Sequence, residues 1–200
     1  MSRGHSRRPL HNARMKTAPG HVRIIGGKWR NTRLQVGDAT GLRPTSDRTR
    51  ETLFNWLQPA LPGARVLDLF AGSGALGFEA LSRGAREALL LERDPRQCEM
   101  LRATAARLPG GEAATVVQAD AIAFLRAPLQ GRFDIVFVDP PFAADLWEGV
   151  LAQLDAWTAG RAWLYLETPL QRSIVPGADW RLHREGTTRE TRHALYRRAG

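Results

Sequence analysis

The chain is poor in several things, and each shortage excludes something. It has one cysteine, Cys98, in 200 residues. An intramolecular disulfide and a cysteine-based metal cluster are therefore excluded. Cys98 falls within a predicted helix, where packing is its expected role. No apolar run approaches the roughly 20 residues of a membrane span, and the basic N-terminus lacks the apolar stretch of a secretory signal. These points predict a soluble, cytoplasmic protein with no membrane partner. The five histidines are scattered, and no group of carboxylates has metal-ligand spacing, so no metal is expected.

Acidic residues are scarce at one end. Residues 1–50 hold 12 Lys+Arg and 2 Asp+Glu, whereas residues 51–200 hold 17 and 18. The whole +9 excess thus sits in the first quarter of the chain. Of the 29 basic residues 27 are arginine, as a GC-rich genome would give. Such a bias raises arginine everywhere, however, and does not empty the acids from one segment. A polyanionic partner explains that better, because neutralising phosphates releases counterions and drives binding.

The hydrophobic fraction, 43%, is enough for a core, and the length suits one domain with a small appendage. Residues 1–20 read as a basic disordered extension without hydrophobic period. Residues 21–45 read as a β-hairpin and connector: strands Val22–Ile25 and Arg33–Val36 flank a basic, aromatic-bearing turn, Gly26-Gly27-Lys28-Trp29-Arg30-Asn31. Residues 46–200 form the main domain. Ser46 or Asp47 can cap its first helix, which ends near Leu57. From Arg65, strands (65–69, 88–92, 114–118, 133–138, 162–167) alternate with helices (75–83, 95–108, 121–126, 145–156). That alternation predicts an α/β fold with a parallel sheet covered on both faces. The end differs, because 180–185 and 191–197 read as two strands around Gly186 with no helix between. They predict an antiparallel hairpin at one sheet edge.

Asp139-Pro140-Pro141-Phe142 follows the apolar strand Phe133–Val138. An acid, two prolines and an aromatic at a strand's C-terminal end suit methylation of an exocyclic amine on a nucleobase. Such an amine is a poor nucleophile, because its lone pair is delocalised into the ring. A carboxylate and a backbone carbonyl that accept its two N–H bonds favour the pyramidal, reactive form. Prolines fix φ and remove donors, so the carbonyls are held in place. The aromatic ring gives a flipped base a face to stack on. A strand followed by a stiff turn is the structural alternative.

The other half of a site lies earlier. Gly72, Gly74 and Gly77 match G-x-G-x-x-G between the first strand and its helix, where free helix N–H groups face a ligand. Glu92 ends the second strand and can accept both hydroxyls of a ribose. This spacing fits NAD as well as S-adenosylmethionine. Asp68, just before the Gly turn, favours the latter: it faces an α-ammonium more comfortably than a pyrophosphate. Asp120 ends the third strand and could accept from an adenine amine. Four acids then stand at consecutive strand ends, the edge where open α/β sheets bind ligands. Singly, each could be a turn or helix-cap residue.

Arg23-Ile24-Ile25-Gly26-Gly27, the run from Gly41-Leu42-Arg43-Pro44-Thr45-Ser46-Asp47-Arg48 to Asn55, Asp68-Leu69-Phe70-Ala71-Gly72-Ser73-Gly74 and Asp139-Pro140-Pro141-Phe142 occur in this order. Together they resemble the RsmD family of bacterial 16S ribosomal RNA guanine-N2 methyltransferases. The Gly motif and the Asp-Pro-Pro-Phe motif are shared with many methyltransferases; the Arg-Pro-Thr segment is the specific part. The resemblance implies a class I methyltransferase fold, a Rossmann-like seven-stranded sheet whose last two strands form the antiparallel hairpin. It implies methyl transfer from S-adenosyl-L-methionine to the N2 amine of one guanine, guanine 966, in 16S rRNA of assembled or partly assembled 30S particles. The enzyme is expected to act as a monomer.

Carried over, Asp68, Phe70, Ala71, Gly72, Ser73 and Gly74 would line the methionine end of the cofactor, Glu92 and Arg93 the ribose, and Asp120 and Ala121 the adenine, with Thr45 closing over it. Asp139, Pro140 and Pro141 would hold the target amine, with Phe142 against the base. Arg23, Lys28, Arg30, Arg33, Arg43, Arg48 and Arg50 are candidates for rRNA phosphate contacts, and Trp29 for stacking on a base. Arg48 and Arg50 could instead pair with acids of the main domain, and Trp29 could pack against the sheet. The rival readings are an N6-adenine methyltransferase, a non-catalytic ribosome-assembly protein that kept the fold, and a NAD-dependent oxidoreductase.

Overall fold

A computed structural model describes residues 21–35, 46–129 and 131–199. The connector, with Gly41, Arg43 and Thr45, and the extension 1–20 lie outside the described residues. Strands β1 (His21–Arg23) and β2 (Arg33–Gln35) pair antiparallel. Helix α1 (Asp47–Leu57) is capped by Ser46, whose hydroxyl accepts the Thr49 amide at 3.1 Å. Then follow β3 (Arg65–Asp68), α2 (Ala75–Ser82), β4 (Glu87–Glu92), α3 (Pro95–Arg107), β5 (Ala114–Gln118), α4 (Ala121–Arg126), β6 (Phe133–Val138), α5 (Trp147–Leu154), β7 (Thr158–Pro169), β8 (Trp180–Thr187) and β9 (Thr191–Arg198).

The strands β3 to β9 form one sheet in the order β5-β4-β3-β6-β7-β9-β8. The first five are parallel, and β9 runs antiparallel between β7 and β8. The final hairpin thus adds its second strand to the sheet first and leaves β8 as the edge. Strand β7 is longer than its hydrophobic run suggests, because its ends pair with β6 at Thr158 and with β9 at Pro169.

Successive strand residues point to opposite faces, which divides the core in two. Val66, Ile135, Phe137, Tyr165 and Leu195 pack with α1, α2 and the β1–β2 hairpin. Leu67, Val136, Val138, Leu164 and Leu166 pack with α4 and α5. Trp147 and Trp157 are buried in the second layer, and their indole N–H groups donate to the Glu167 and Leu125 carbonyls at 2.8 and 2.9 Å. Buried indoles need such partners.

The hairpin belongs to the first layer through Val22, Ile24, Trp29 and Leu34. Glu79 of α2, fully buried, ties it down: its carboxylate accepts the Ile25 and Gly26 amides at 2.7 and 2.8 Å and pairs with Arg83 at 2.7 Å. Gly27 has φ +75°, and a Cβ there would lie 1.9 Å from the Ser82 carbonyl oxygen. Only glycine allows the turn to seat against the end of α2.

Candidate active site

The strand order reverses between β3 and β6: the chain leaves β3 towards β4 and β5, then returns on the other side. Helices on either side of such a point leave a crevice outside the strand ends. Asp68 is the last residue of β3 and is in register with Phe137; Asp139 follows β6 two residues on. The two acids therefore end neighbouring strands on the same face of the sheet, and the Gly turn and the Asp-Pro-Pro-Phe turn leave the sheet side by side.

On the β3 side the carboxylates are held by backbone amides. Glu92 accepts from Gly72 at 2.9 Å, Arg93 at 2.7 Å and Asp94 at 2.9 Å. This orients it over the Gly turn, with one lone pair of Oε2 left for a ribose hydroxyl. Asp68 is buried and accepts the Gly77 amide at 3.1 Å. Burial pushes its carboxyl up to about 7, against the pull of the Gly77 and Phe70 amides and with the push of Glu92. A buried acid so placed gains from a cation beside it, as the α-ammonium of S-adenosylmethionine would be. Gly74 has φ +77°, and a Cβ there would come within 2.5 Å of the Phe78 ring, so the turn tolerates no side chain. Asp120 caps α4, accepting the Ala123 amide at 3.0 Å, while Asp94 caps α3. Cys98 is buried and donates to the Glu92 carbonyl at 3.3 Å. The donor set of Asp68, Glu92 and Asp120 fits a group with an ammonium, a ribose and an adenine.

On the β6 side Pro140 is buried and Asp139 half-buried. The Pro141 carbonyl accepts the Ala144 amide at 2.9 Å, whereas the Pro140 carbonyl takes part in no such turn bond among the described residues. Phe142 is 38% exposed, with its ring 5.8 Å from that of Trp147. A carboxylate, a carbonyl and a ring face thus stand together at this turn.

The register reveals further groups here. Val138 pairs with Leu166, so Asp139 continues the row into Glu167, which pairs with His193 of β9. All three point to the α1 face. The Tyr165 hydroxyl donates to Glu167 at 2.8 Å. Burial, together with Glu167 and Asp139, pushes the phenol well up. Burial pulls the His193 imidazole down, and Trp56 stacks on it at 5.9 Å. Glu167 ends the run 162–167 that the sequence marks as the fifth strand, although β7 itself continues to Pro169. The strand-end rule that selects Asp68, Glu92 and Asp120 selects it too.

The basic candidates divide. Trp29 is 4% exposed, and its indole N–H donates to the Pro109 carbonyl at 3.0 Å; its ring is core, not a stacking platform. Arg50 is fully buried and pairs with Asp47 at 2.7 Å, donating also to the Arg23 carbonyl at 2.9 Å. It braces the hairpin against α1 and presents nothing to RNA. Arg23 is exposed but pairs with the same Asp47 at 3.1 Å. Lys28, Arg30, Arg33 and Arg48 remain exposed. Lys28 and Arg30 join Arg107 around a shallow recess of about 360 Å³. This recess lies at the C-terminal end of α2 and α3. The Gly turn is at the other end of α2, roughly 12 Å away at 1.5 Å per helical residue. The hairpin tip is thus remote from the crevice.

A reversed strand order, a Gly turn under a carboxylate and an antiparallel last strand inside the sheet edge define the class I S-adenosylmethionine-dependent methyltransferase fold. Comparison with known proteins narrows the class. Residues 22–197 match the family described as Conserved hypothetical protein 95. The protein named ribosomal RNA small subunit methyltransferase D of Escherichia coli (strain K12) is 47% identical over 183 residues, which cover 90% of this chain and 91% of that one. Its namesake in Haemophilus influenzae is 42% identical, covering 90% and 95%. A solved Escherichia coli structure, yhhF, matches with TM-score 0.81 and 45% identity over 90% of this chain and 99% of its own. TrmN from Thermus thermophilus, at 21% identity and TM-score 0.64 over 75% of this chain and 48% of that one, shares the fold alone. The chain belongs to the RsmD family.

Proposed function

We propose that this protein transfers a methyl group from S-adenosylmethionine to the exocyclic N2 amine of one guanine in 16S rRNA, acting as a cytoplasmic monomer on an assembled or partly assembled 30S particle. The observation that carries the reading is that Asp68 and Asp139 stand at the C-terminal ends of the neighbouring strands β3 and β6. One side suits a cationic cofactor and the other an amine. The names of the relatives support an rRNA substrate. Among the described residues no helix is long and apolar enough to cross a membrane, and no group of three or more potential ligands could hold a metal ion.

When bound, the cofactor supplies a methyl group already activated by the sulfonium charge. The chain's own part is binding and alignment. Asp68 would face the α-ammonium beside the Gly72–Gly74 turn, Glu92 would take a ribose hydroxyl beside Arg93, and Asp120 and Ala121 would border the adenine. Asp139 and the Pro140 carbonyl accept the two N–H bonds of the guanine amine, which makes its nitrogen less planar and more nucleophilic. Phe142 stacks on the extruded base. Holding both partners in line can lower a barrier by ~7–11 kcal/mol. Lys28, Arg30, Arg33 and Arg48 contact rRNA phosphates away from the reacting base.

The test is transfer of labelled methyl to 30S particles that lack the modification, followed by identification of the nucleoside. N2-methylguanosine is the expected product. N6-methyladenosine would move the protein to the rival amine chemistry, and absence of incorporation would refute the reading.

A further inference from the structure

The near-neutral balance of residues 51–200 hides two opposite regions. Residues 51–157 hold 9 Lys+Arg against 14 Asp+Glu, whereas residues 158–200 hold eight arginines against four acids. The C-terminal strands are therefore a second basic region.

These arginines are sorted by face. On the α5 face Arg198 lies near Asp155 at 3.6 Å and Asp179 at 3.7 Å, and Arg192 pairs with Glu185 at 2.8 Å. On the α1 face the register aligns Trp163 with Arg197 and Arg197 with Arg181, and one step along it aligns Leu195 with Arg184. Arg181, Arg184 and Arg197 are exposed and carry no ion pair among the described residues. The only acid in these rows is Glu167, buried at the crevice end. The half-buried Trp163 ring has Arg197 over it at 5.5 Å and the edge of His183 at 4.9 Å. All five residues from Arg181 to Glu185 are exposed, so no described helix covers β8.

We propose that the open end of this face, Trp163 of β7, Arg197 of β9 and the exposed strand β8, is a binding surface for single-stranded RNA that continues from the target guanine, with Arg181, Arg184 and Arg197 on phosphates and Trp163 and His183 beneath a base. The inference rests on the methyltransferase reading above and assigns that site a track for its substrate. Placement favours it. The row Asp139–Glu167–His193 and the row Trp163–Arg197–Arg181 lie four residues apart along β7, roughly 13 Å at ~3.3 Å per residue. Tyr165 and Leu195 between the rows are fully buried, so chain leaving the crevice reaches these arginines over the exposed edge strand β8. Protection of an edge strand against aggregation needs only charge. It does not explain why the acids pair with arginines on one face and spare the other. Arginines without ion pairs beside a half-buried aromatic ring are the chemistry of single-strand binding.

The experiment compares the full chain with the triple variant R181A/R184A/R197A, the charge-preserving R181K/R184K/R197K and a control, Arg126→Ala, on unmodified 30S particles across a salt series. Each phosphate contact on a single strand contributes about 0.7 to the salt slope. The alanine triple should therefore lose about 2 in slope. Its KM for particles should rise roughly tenfold, with kcat and cofactor affinity unchanged. The lysine triple and the control should match the wild type. An alanine triple with wild-type slope and KM overturns the proposal, as does a lysine triple as impaired as the alanine one. Because binding is read apart from methylation, a wild type that bound particles without methylating them would refute the enzymatic reading and still decide this one.

Discussion

The two halves of the crevice are built differently. On the cofactor side every functional acid is fixed by backbone amides, all but one within ten residues: Asp68 by Gly77, Glu92 by Arg93 and Asp94 and, 20 residues away, by Gly72, and Asp120 by Ala123. On the acceptor side Asp139 stands in a row whose other members, Glu167 and His193, come from strands 28 and 54 residues further along the chain. The cofactor side is local geometry, stamped by glycines and caps. The acceptor side exists only once β9 has inserted beside β7. Damage to the first should show in cofactor affinity, and damage to the second in turnover.

The sharpest way to break that division is Asp139→Ala. If the carboxylate acts only on the amine in the transition state, kcat falls by roughly a thousandfold while cofactor affinity, measured calorimetrically, stays at the wild-type level. A parallel loss of cofactor affinity would mean that the halves are not separate.

Asp68→Asn tests the other side. Asparagine keeps an acceptor for the Gly77 amide but not the charge, so cofactor affinity should fall on the order of 10- to 100-fold, as expected for a lost hydrogen bond between charged groups. The wild type should show the same dependence through pH. Asp68 is protonated below about 7, so affinity should drop about tenfold per unit as pH falls below that point and level off above it. Stability should move oppositely. The folded-state pKa lies above the ordinary 3.8. Its contribution is therefore fully present below pH 3.8 and lost as pH rises through about 7. In denaturant titrations the Asn variant should then gain on the wild type between about pH 4 and 7 and hold that gain above it. A gain that is constant with pH would sink the assignment of a raised Asp68.

What was legible in the sequence follows the same line. The β3 turn, the caps at Ser46 and Asp120 and the parallel strands could be read because each depends on residues a few positions apart. The C-terminal hairpin was legible as a hairpin, but its order in the sheet was not, since nothing local tells β9 to lie inside β8. Glu167 was visible as a strand-end acid, yet its place beside Asp139 depends on that order. Trp29 and Arg50 look like RNA ligands by composition. Their burial comes from partners far away, Pro109 for the indole and the hairpin's own carbonyl at Arg23 for the guanidinium. The charge count misled for a simpler reason: an acidic middle and a basic end cancel in one sum.

The smallest effect belongs to Asp120, where two roles overlap. Its carboxylate caps α4, so Asp120→Ala should cost about 1 kcal/mol of stability whether or not it meets the adenine amine. Asp120→Ser separates the two. Serine restores the cap, since its hydroxyl can accept the Ala123 amide as Asp120 does at 3.0 Å, but it is too short and uncharged to replace a carboxylate facing the ligand. Stability near that of the wild type with weakened cofactor binding would show that Asp120 works on both sides of the helix end. Full recovery of both would reduce it to a cap and leave the adenine to the backbone around Ala121.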